Sequence, residues 1–467
     1  MSAEPKAEFD IAVLGAGPAG MAAAATAAGK GASVVILDEQ ARPGGQIYRN
    51  VEVASPKQQQ VLGPEYQAGG ALAADLRASG TRYLPGCSIW DVSATGQVLY
   101  SRDGCSSALR AKQLILATGA TERPVPLPGW TLPGVMTAGA AQILLKSGGL
   151  APRDAVLVGS GPLLYLLAAQ LCAAGHAPKA LVETQGMSDL MAATRTHLSG
   201  ALKGWRYLLK GAGLLARLRR AGVRRYVGAR DIRLEGRDQL SAIRFTSGGK
   251  AQQIETELAL LHMGVVPNTQ ISRLLRLEHH FDATQQCFAP VLDDLGRSSI
   301  TNVLVAGDGA GIGGAAVAAL SGRIAALTAL EQLGHLSAAE RDHLALPWQK
   351  QRRCELQVRP FLDRLYPPSP EVLAPADDTL ICRCEEVSAG QIRSFARLGC
   401  KGPNQAKAFG RAGMGPCQGR FCGLSVTGIL AQETGQSPDE TGALRIRAPL
   451  KPISLGELAT AAAPENN

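Results

Sequence analysis

Four cysteines near the C-terminus carry the sharpest chemical signal in this 467-residue chain. Cys382 and Cys384 form C-x-C in ICRCEEV, and Cys417 and Cys422 form C-x4-C in MGPCQGRFC. Four thiolates can hold a [2Fe–2S] cluster, two to each iron, and the glycines around the second pair let backbone N–H groups point at sulfur and tune its potential. Zinc is the alternative, although a C-x-C pair is tighter than the usual knuckle of about two to four intervening residues. Cys400 lies between the pairs and reads as structural. Ten cysteines in so long a chain do not make a disulfide framework. Cys87 and Cys105 read as buried or free thiols rather than redox partners.

A second chemistry opens the chain. In FDIAVLGAGPAGMAAAATAAGKGASVVILDE, residues 9–39, Gly15, Gly17 and Gly20 stand at G-x-G-x-x-G spacing between an apolar run and an Ala-rich segment. The first glycine allows the tight turn, the second lets backbone approach a pyrophosphate, and the third lets the helix lie close on the strand. The helix start, with Pro18 and Ala19, then offers free N–H groups to phosphates. Asp38, beside Glu39, ends the next apolar run 23 residues beyond Gly15, where an acid can accept from a ribose hydroxyl. The order of strand, glycines, helix, strand and acid predicts a βαβ unit that binds a dinucleotide.

The pattern recurs at residues 155–183. AVLVGSG supplies Gly159 and Gly161, and ALVET ends on Glu183, a second ribose acceptor. Here the third glycine is replaced by Leu164, which pushes the helix off the strand and weakens a normal NAD(P) site. NADH, an adenine nucleotide or nothing at all are the expectations for this unit.

Three further segments follow the first unit: the turn RPGGQIY at residues 42–48, LILATG ending on Thr118 and Gly119, and TNVLVAGD ending on Gly307 and Asp308 before a glycine-rich turn and an Ala-rich helix. With the G-x-x-P-N stretch at residues 264–268, they resemble the two-dinucleotide-binding-domain flavoprotein family over residues 9 to about 333. The resemblance implies FAD held by Gly15, Gly17, Pro18, Ala19, Gly20, Asp38, Glu39, Gly45, Gln46, Thr118, Gly119, Gly307, Asp308 and Gly314, with Asp308 on the ribityl or pyrophosphate part. The disulfide reductases of that family carry a cysteine pair just after the two glycines of the turn. Gln46, Ile47 and Tyr48 follow here, so a dithiol relay is not the expectation for this chain.

The cysteine segment resembles the bacterioferritin-associated-ferredoxin-like [2Fe–2S] domain, whose second pair is more often C-x2-C. With the tail RIRAPLKPISLGELA, it is similar to the α subunits of heteromeric amine-oxidising flavoenzymes of the D-hydroxyproline dehydrogenase, octopine and nopaline oxidase and hydrogen cyanide synthase type. That likeness implies a division of labour. A D-amino-acid-oxidase-like flavin β subunit would oxidise an amine or imino acid such as D-hydroxyproline, an opine or glycine, and this chain would carry the electrons away. It also implies a small ferredoxin-like subunit and FMN at a subunit interface; a quinone, a ferredoxin or another protein, or oxygen is left open as final acceptor. The alternative is a self-sufficient NAD(P)H-dependent FAD reductase passing electrons through its cluster.

These elements predict an α/β fold with two Rossmann-like domains, one inserted in the other, plus a small helical [2Fe–2S] domain. The expected boundaries are 1–150 with 268–335 for the FAD domain, 151–267 for the second nucleotide domain, 336–378 for a helical connector and proline-rich linker, 379–440 for the cluster domain and 441–467 for a tail. The net charge of +9 with only 4% aromatics and no recognition motif does not describe a nucleic-acid binder. Arginines between Arg217 and Arg233 read as a solvated face or a dock for an acidic partner. No apolar run reaches membrane-spanning length and no leader is apparent, so the expectation is a cytoplasmic protein, soluble or peripheral on the inner face of the membrane.

Overall fold

The computed structural model describes residues 8–462. The opening strand, Glu8–Leu14, is buried where its apolar run lies, with Ile11, Ala12 and Val13 fully enclosed. It is flanked by parallel strands on both sides, Val34–Leu37 in the register Ile11↔Val34 and Cys105–Leu116 in the register Leu14↔Leu116. Arg82–Leu84 extends this sheet at one edge and Val303–Val305 pairs beside Cys105–Leu116. The first half of that long strand also joins an antiparallel ladder with Gln97–Arg102 and Ser88–Val92. A parallel sheet covered on both faces needs continuous apolar strands, which is what these segments supply.

Small residues decide how the helices close on this sheet. A Cβ on Gly20 would lie 1.8 Å from the Gly15 carbonyl oxygen, and one on Gly322 would lie 2.0 Å from the Ala19 oxygen. The first contact seats the helix Pro18–Ala28 on the glycine turn, the second brings the helix Ala315–Gln332 against it backbone to backbone, and their alanines fill one core.

The second sheet is all parallel, in the order Arg224–Val227, Ala180–Glu183, Val156–Ser160, Ala259–Met263, Val135–Thr137. The chain crosses between the units on an antiparallel pair, Ala120–Glu122 with Val265–Pro267. The boundary expected at 150 therefore lies near 122. Past that crossing, Val125, Leu127 and Trp130 are already buried with Val156 and Val182, and Val135–Thr137 pairs into the second sheet.

The proline-rich stretch expected to be an extended linker is packed. Ser369 and Val372 are buried, and the Glu371 carboxylate accepts from the backbone N–H groups of Asp231 and Ile232. Beyond it, a short ladder of Leu380–Cys382 with Val387–Ser388 and the helices Ala389–Arg397, Pro403–Gly410 and Gly423–Thr434 build a small module around its own core. Among the described residues no helix is long and apolar enough to cross a membrane.

The tail is not peripheral either. Leu444, Ile446 and Leu450 are buried in the same core as Leu14, Leu37 and Leu116, and the Leu450 N–H donates to the Trp90 carbonyl at 2.7 Å. Truncating Leu450, 2% exposed, to alanine should cost about 2–5 kcal/mol, as buried leucines do. Urea unfolding measures this; an unchanged midpoint would mean that the tail adds nothing to the core.

Candidate dinucleotide site and cysteine cluster

Four turns converge where the first glycine motif predicts a nucleotide. Gly15, with φ of 109°, passes so close to the next strand that a Cβ would sit 2.5 Å from the Ala117 oxygen. Gly17 caps the Pro18–Ala28 helix, and nothing nearer than Gly45 Cα, at 3.9 Å, faces its missing Cβ. The Gly44 N–H donates to the Ala16 carbonyl, which lays the Gly44-Gly45-Gln46 turn over the glycine loop. Thr118 donates its hydroxyl to the Asn268 carbonyl, and the Asn268 N–H donates to Gly119, so the outgoing and returning crossings are bonded together. Gly307, with φ of 76°, closes the ring against Ala19, whose Cβ would lie 2.8 Å from a Cβ there.

The acids expected to receive the ligand hold the loops. Asp38 is 9% exposed and accepts from the N–H groups of Ala16 and Gln40. Burial pushes its carboxyl above the ordinary value, against the pull of those two donors. Asp308 accepts from Gly313 and Gly314 N–H, 2.9 Å each, at the start of the Ala315–Gln332 helix. Glu39 pairs with Lys451 of the tail. The sequence placed these acids in one site; the structure adds that Asp38 and Asp308 set the backbone shape of its walls.

Two cations at this site left no sequence signal. Arg49 spans Gln40 and Gln46 through their side-chain oxygens. Lys146, 3% exposed, donates to the Gln46 carbonyl at 3.1 Å and to the Gln142 amide oxygen at 2.8 Å. Its position, 100 residues from Gln46, is set by the Ala138–Gly148 helix reaching back from the second unit.

The second glycine motif is built differently. Leu164 is buried at 1% exposure among Leu157, Leu167 and Leu260, so the helix Pro162–Ala173 is seated by an apolar side chain where a glycine would allow closer approach. The turn at Gly159 and Gly161 is retained, but Ser160 donates to the carbonyl of Pro367. Tyr366 stands edge-on to Tyr165 with ring centroids 6.3 Å apart. Glu183, the expected ribose acceptor, is 1% exposed and takes hydrogen bonds from Tyr165 (2.6 Å), Gln185 (2.7 Å) and Arg225 (2.6 and 2.9 Å). Its carboxylate is consumed inside the protein, which corrects the ribose role, and the connector lies across the turn beside it. Arg225, grouped with the solvated arginines in the sequence, is the ion-pair partner.

The four cysteines meet as two pairs. Cys422 donates to Cys382, which also accepts from the Gly413 N–H at 3.5 Å; these donors pull the Cys382 thiol down to about 5 and push that of Cys422 far up. Cys384 and Cys417 form the second pair, and burial raises the Cys384 thiol. Cys382 and Cys422 are buried, Cys417 is half-buried and Cys384 is exposed, so one edge of the group opens to solvent. Among the described residues no set of three or more Cys, His, Asp or Glu side chains is gathered for a single metal ion. Cys400 is buried in the module's core, its thiol on the Gly402 carbonyl. The module is clamped to the second unit, with Trp130 Nε1 donating to Leu380 at 2.7 Å and the Arg383 guanidinium over the Trp130 ring at 5.3 Å.

Comparison with known proteins follows this two-part architecture. Residues 9–322 match the family model for pyridine nucleotide-disulphide oxidoreductases, and residues 377–462 match that for the sarcosine oxidase A3 domain. The chain is 44% identical over 460 residues to an opine oxidase subunit of Rhizobium meliloti (strain 1021), spanning 97% of this chain and 98% of that one. It is 34% identical over 455 residues to hydrogen cyanide synthase subunit HcnB of Pseudomonas protegens, spanning 94% and 95%. The crystal structure of L-proline dehydrogenase from P. horikoshii shares the fold, with a TM-score of 0.69 at 20% identity over 97% of this chain and 79% of that chain.

Burial, with the Arg49 charge added, pushes Lys146 down to about 7 from 10.5. Between those values the unfolded chain holds a proton that the folded chain lacks, so stability rises with pH across that window. Replacing Lys146 by methionine should flatten the rise between about pH 7 and 10 in chemical unfolding; identical pH profiles for the two proteins would contradict this.

Proposed function

Because the chain belongs to the pyridine nucleotide-disulphide oxidoreductase family, we propose that it is the FAD- and [2Fe–2S]-carrying electron-transfer subunit of a heteromeric oxidoreductase. In this reading a partner flavin subunit oxidises a carbon–nitrogen bond of an amine or imino acid. The observation that carries the proposal is the meeting of four thiols in two contacting pairs on a module fastened to a dinucleotide fold. Two pairs are the donor set for two irons. Gly415 fits them, since any Cβ there would lie 2.1 Å from that of Cys384, and the Gly413 N–H already donates to sulfur.

When bound, FAD takes electrons in pairs and releases them singly, and an iron–sulfur cluster carries one at a time. The chain's own residues hold, orient and enclose. Gly15, Gly17 and Gly20 bring backbone donors and the helix start to a pyrophosphate, and Gly45, Gln46, Thr118 and Gly307 wall the site. Asp38 and Asp308 fix those walls, and Lys146 pins the Gln46 carbonyl. No cysteine pair stands beside this turn, which speaks against disulfide reduction.

The second unit bears on the alternative, a self-sufficient NAD(P)H reductase. Glu183 is taken by Tyr165, Gln185 and Arg225, and Ser160 by Pro367, so the groups that would receive a second dinucleotide are already engaged. This supports electron entry from a partner subunit. The names of the aligned relatives, subunits of opine oxidase and hydrogen cyanide synthase, support the same arrangement.

Purified with full flavin and iron, the chain should not bleach on anaerobic mixing with NADH or NADPH, and should be reduced by an amine or imino acid only with its partner subunit present. Rapid bleaching by NADH alone would overturn the reading. Cys384→Ser should abolish or distort the cluster and its EPR signal while flavin content stays near wild type. Asp308→Ala should weaken flavin retention by about 1.5–3 kcal/mol through loss of a charged acceptor, measured by apoprotein titration; unchanged affinity would remove Asp308 from the site.

A further inference from the structure

The extra length between Cys417 and Cys422 has a place in the fold that cysteine ligation does not require. Gly419 and Arg420 from that loop form one wall of a cavity of about 80 Å3 at the seam between the cysteine module and the dinucleotide units. Asn268, Thr269 and Arg273, from the segment returning into the first unit, form the other.

Both guanidinium groups are held by neutral partners. Arg420 donates to the Cys417 carbonyl at 3.1 Å and to the Leu450 carbonyl at 2.7 Å. Arg273 donates Nε to the Thr269 hydroxyl at 3.2 Å and lies over the Phe288 ring, 4.6 Å from its centroid. Its Nη2 is buried without a hydrogen-bond partner. No carboxylate is among the residues lining the cavity. The same seam carries more positive charge, since Arg276 donates to the carbonyl of Ile446, which lines the cavity, and is repelled by Arg445 and Arg447. Burial pushes the Arg420 guanidinium down, and the acid that draws on it is the Cys417 thiol, which does not line the cavity. Within the cavity, two cations face one partly desolvated space with no carboxylate between them, and their repulsion grows as water is excluded.

We propose that this cavity is a site for a small oxyanion, a phosphate or carboxylate group, bridging Arg273 and Arg420. Two guanidinium forks with the Thr121 and Thr269 hydroxyls and the Asn268 amide around them form a donor set suited to such a group. The cavity admits an ion or one headgroup; the rest of a larger ligand would lie outside the seam. The bound anion would fasten the Cys417–Cys422 loop to the returning segment and so couple the thiol module to the dinucleotide unit.

Calorimetric titration of the full chain with orthophosphate, and separately with acetate, each against chloride at matched ionic strength, tests the site. The expected result is one saturable site per chain, weakened about tenfold or more in Arg273→Gln and in Arg420→Gln. The exposed Arg217→Gln should bind as wild type. Preference for orthophosphate identifies a phosphate-bearing ligand, and preference for acetate a carboxylate. Should either cavity variant fail to fold, hydrogen exchange of the wild-type chain decides, with slowed exchange at residues 268–273 and 417–423 in the preferred anion expected. Absence of saturable binding by either anion, unchanged affinity in both folded variants, or protection confined to other segments would overturn the proposal.

Discussion

The first dinucleotide unit depends on one contact between backbones. The start of the Pro18–Ala28 helix lies between the Gly15 carbonyl below and the Ala315–Gln332 helix beside it, and at Gly20 and Gly322 neither neighbour leaves space for a single carbon. That closeness brings three elements from distant parts of the sequence into one wall: the opening glycine turn, the crossing at Ala117 and Thr118, and the Gly307 turn against Ala19. A side chain at Gly322 would part the two helices, and one at Gly20 would lift the first helix off the Gly15 turn, opening the site as well as the core.

This wall was legible in the sequence because its rule is local. Glycine spacing and flanking apolar runs report strand, turn and helix within a few tens of residues, and the acids at the strand ends follow from the same register. The four cysteines were legible for a similar reason, two short motifs of a residue type with few other uses. What stayed hidden was long-range. Lys146 reaches Gln46 and Lys451 reaches Glu39 across stretches that carry no periodicity linking them. The boundary misplaced at 150 had a related cause: a strand of three residues, Val135–Thr137, gives almost no pattern, yet its pairing with Ala259–Met263 assigns it to the second sheet. Proline content suggested an extended linker, and the stretch instead turns through a short helix, Pro370–Leu373, packed against the second unit by Val372 and Glu371.

The second unit keeps a parallel sheet and a glycine turn while the polar groups beside that turn are bonded inside the protein. Its sheet and turn are intact, with Gly159 and Gly161 in the backbone conformations such a turn needs. Leu164 then seats the helix by apolar packing, Glu183 is neutralised by Arg225 in a network with Tyr165 and Gln185, and the connector supplies Tyr366 and Pro367 at the mouth. The departure at the third glycine was visible in sequence; the fate of the acid was not, because Arg225 comes from a strand outside the motif and nothing in the glycine pattern marks Tyr165 or Gln185 as its partners.

The attachment of residues 444–451 to the first unit orders events during synthesis. Leu444, Ile446 and Leu450 complete the core under the opening strand, and Lys451 meets Glu39 at the edge of the first nucleotide turn. These residues emerge from the ribosome only after the cysteine module has been made. A nascent chain with its glycine motif already exposed thus still lacks part of the floor beneath it, and this segment closes that floor after the thiols are in place.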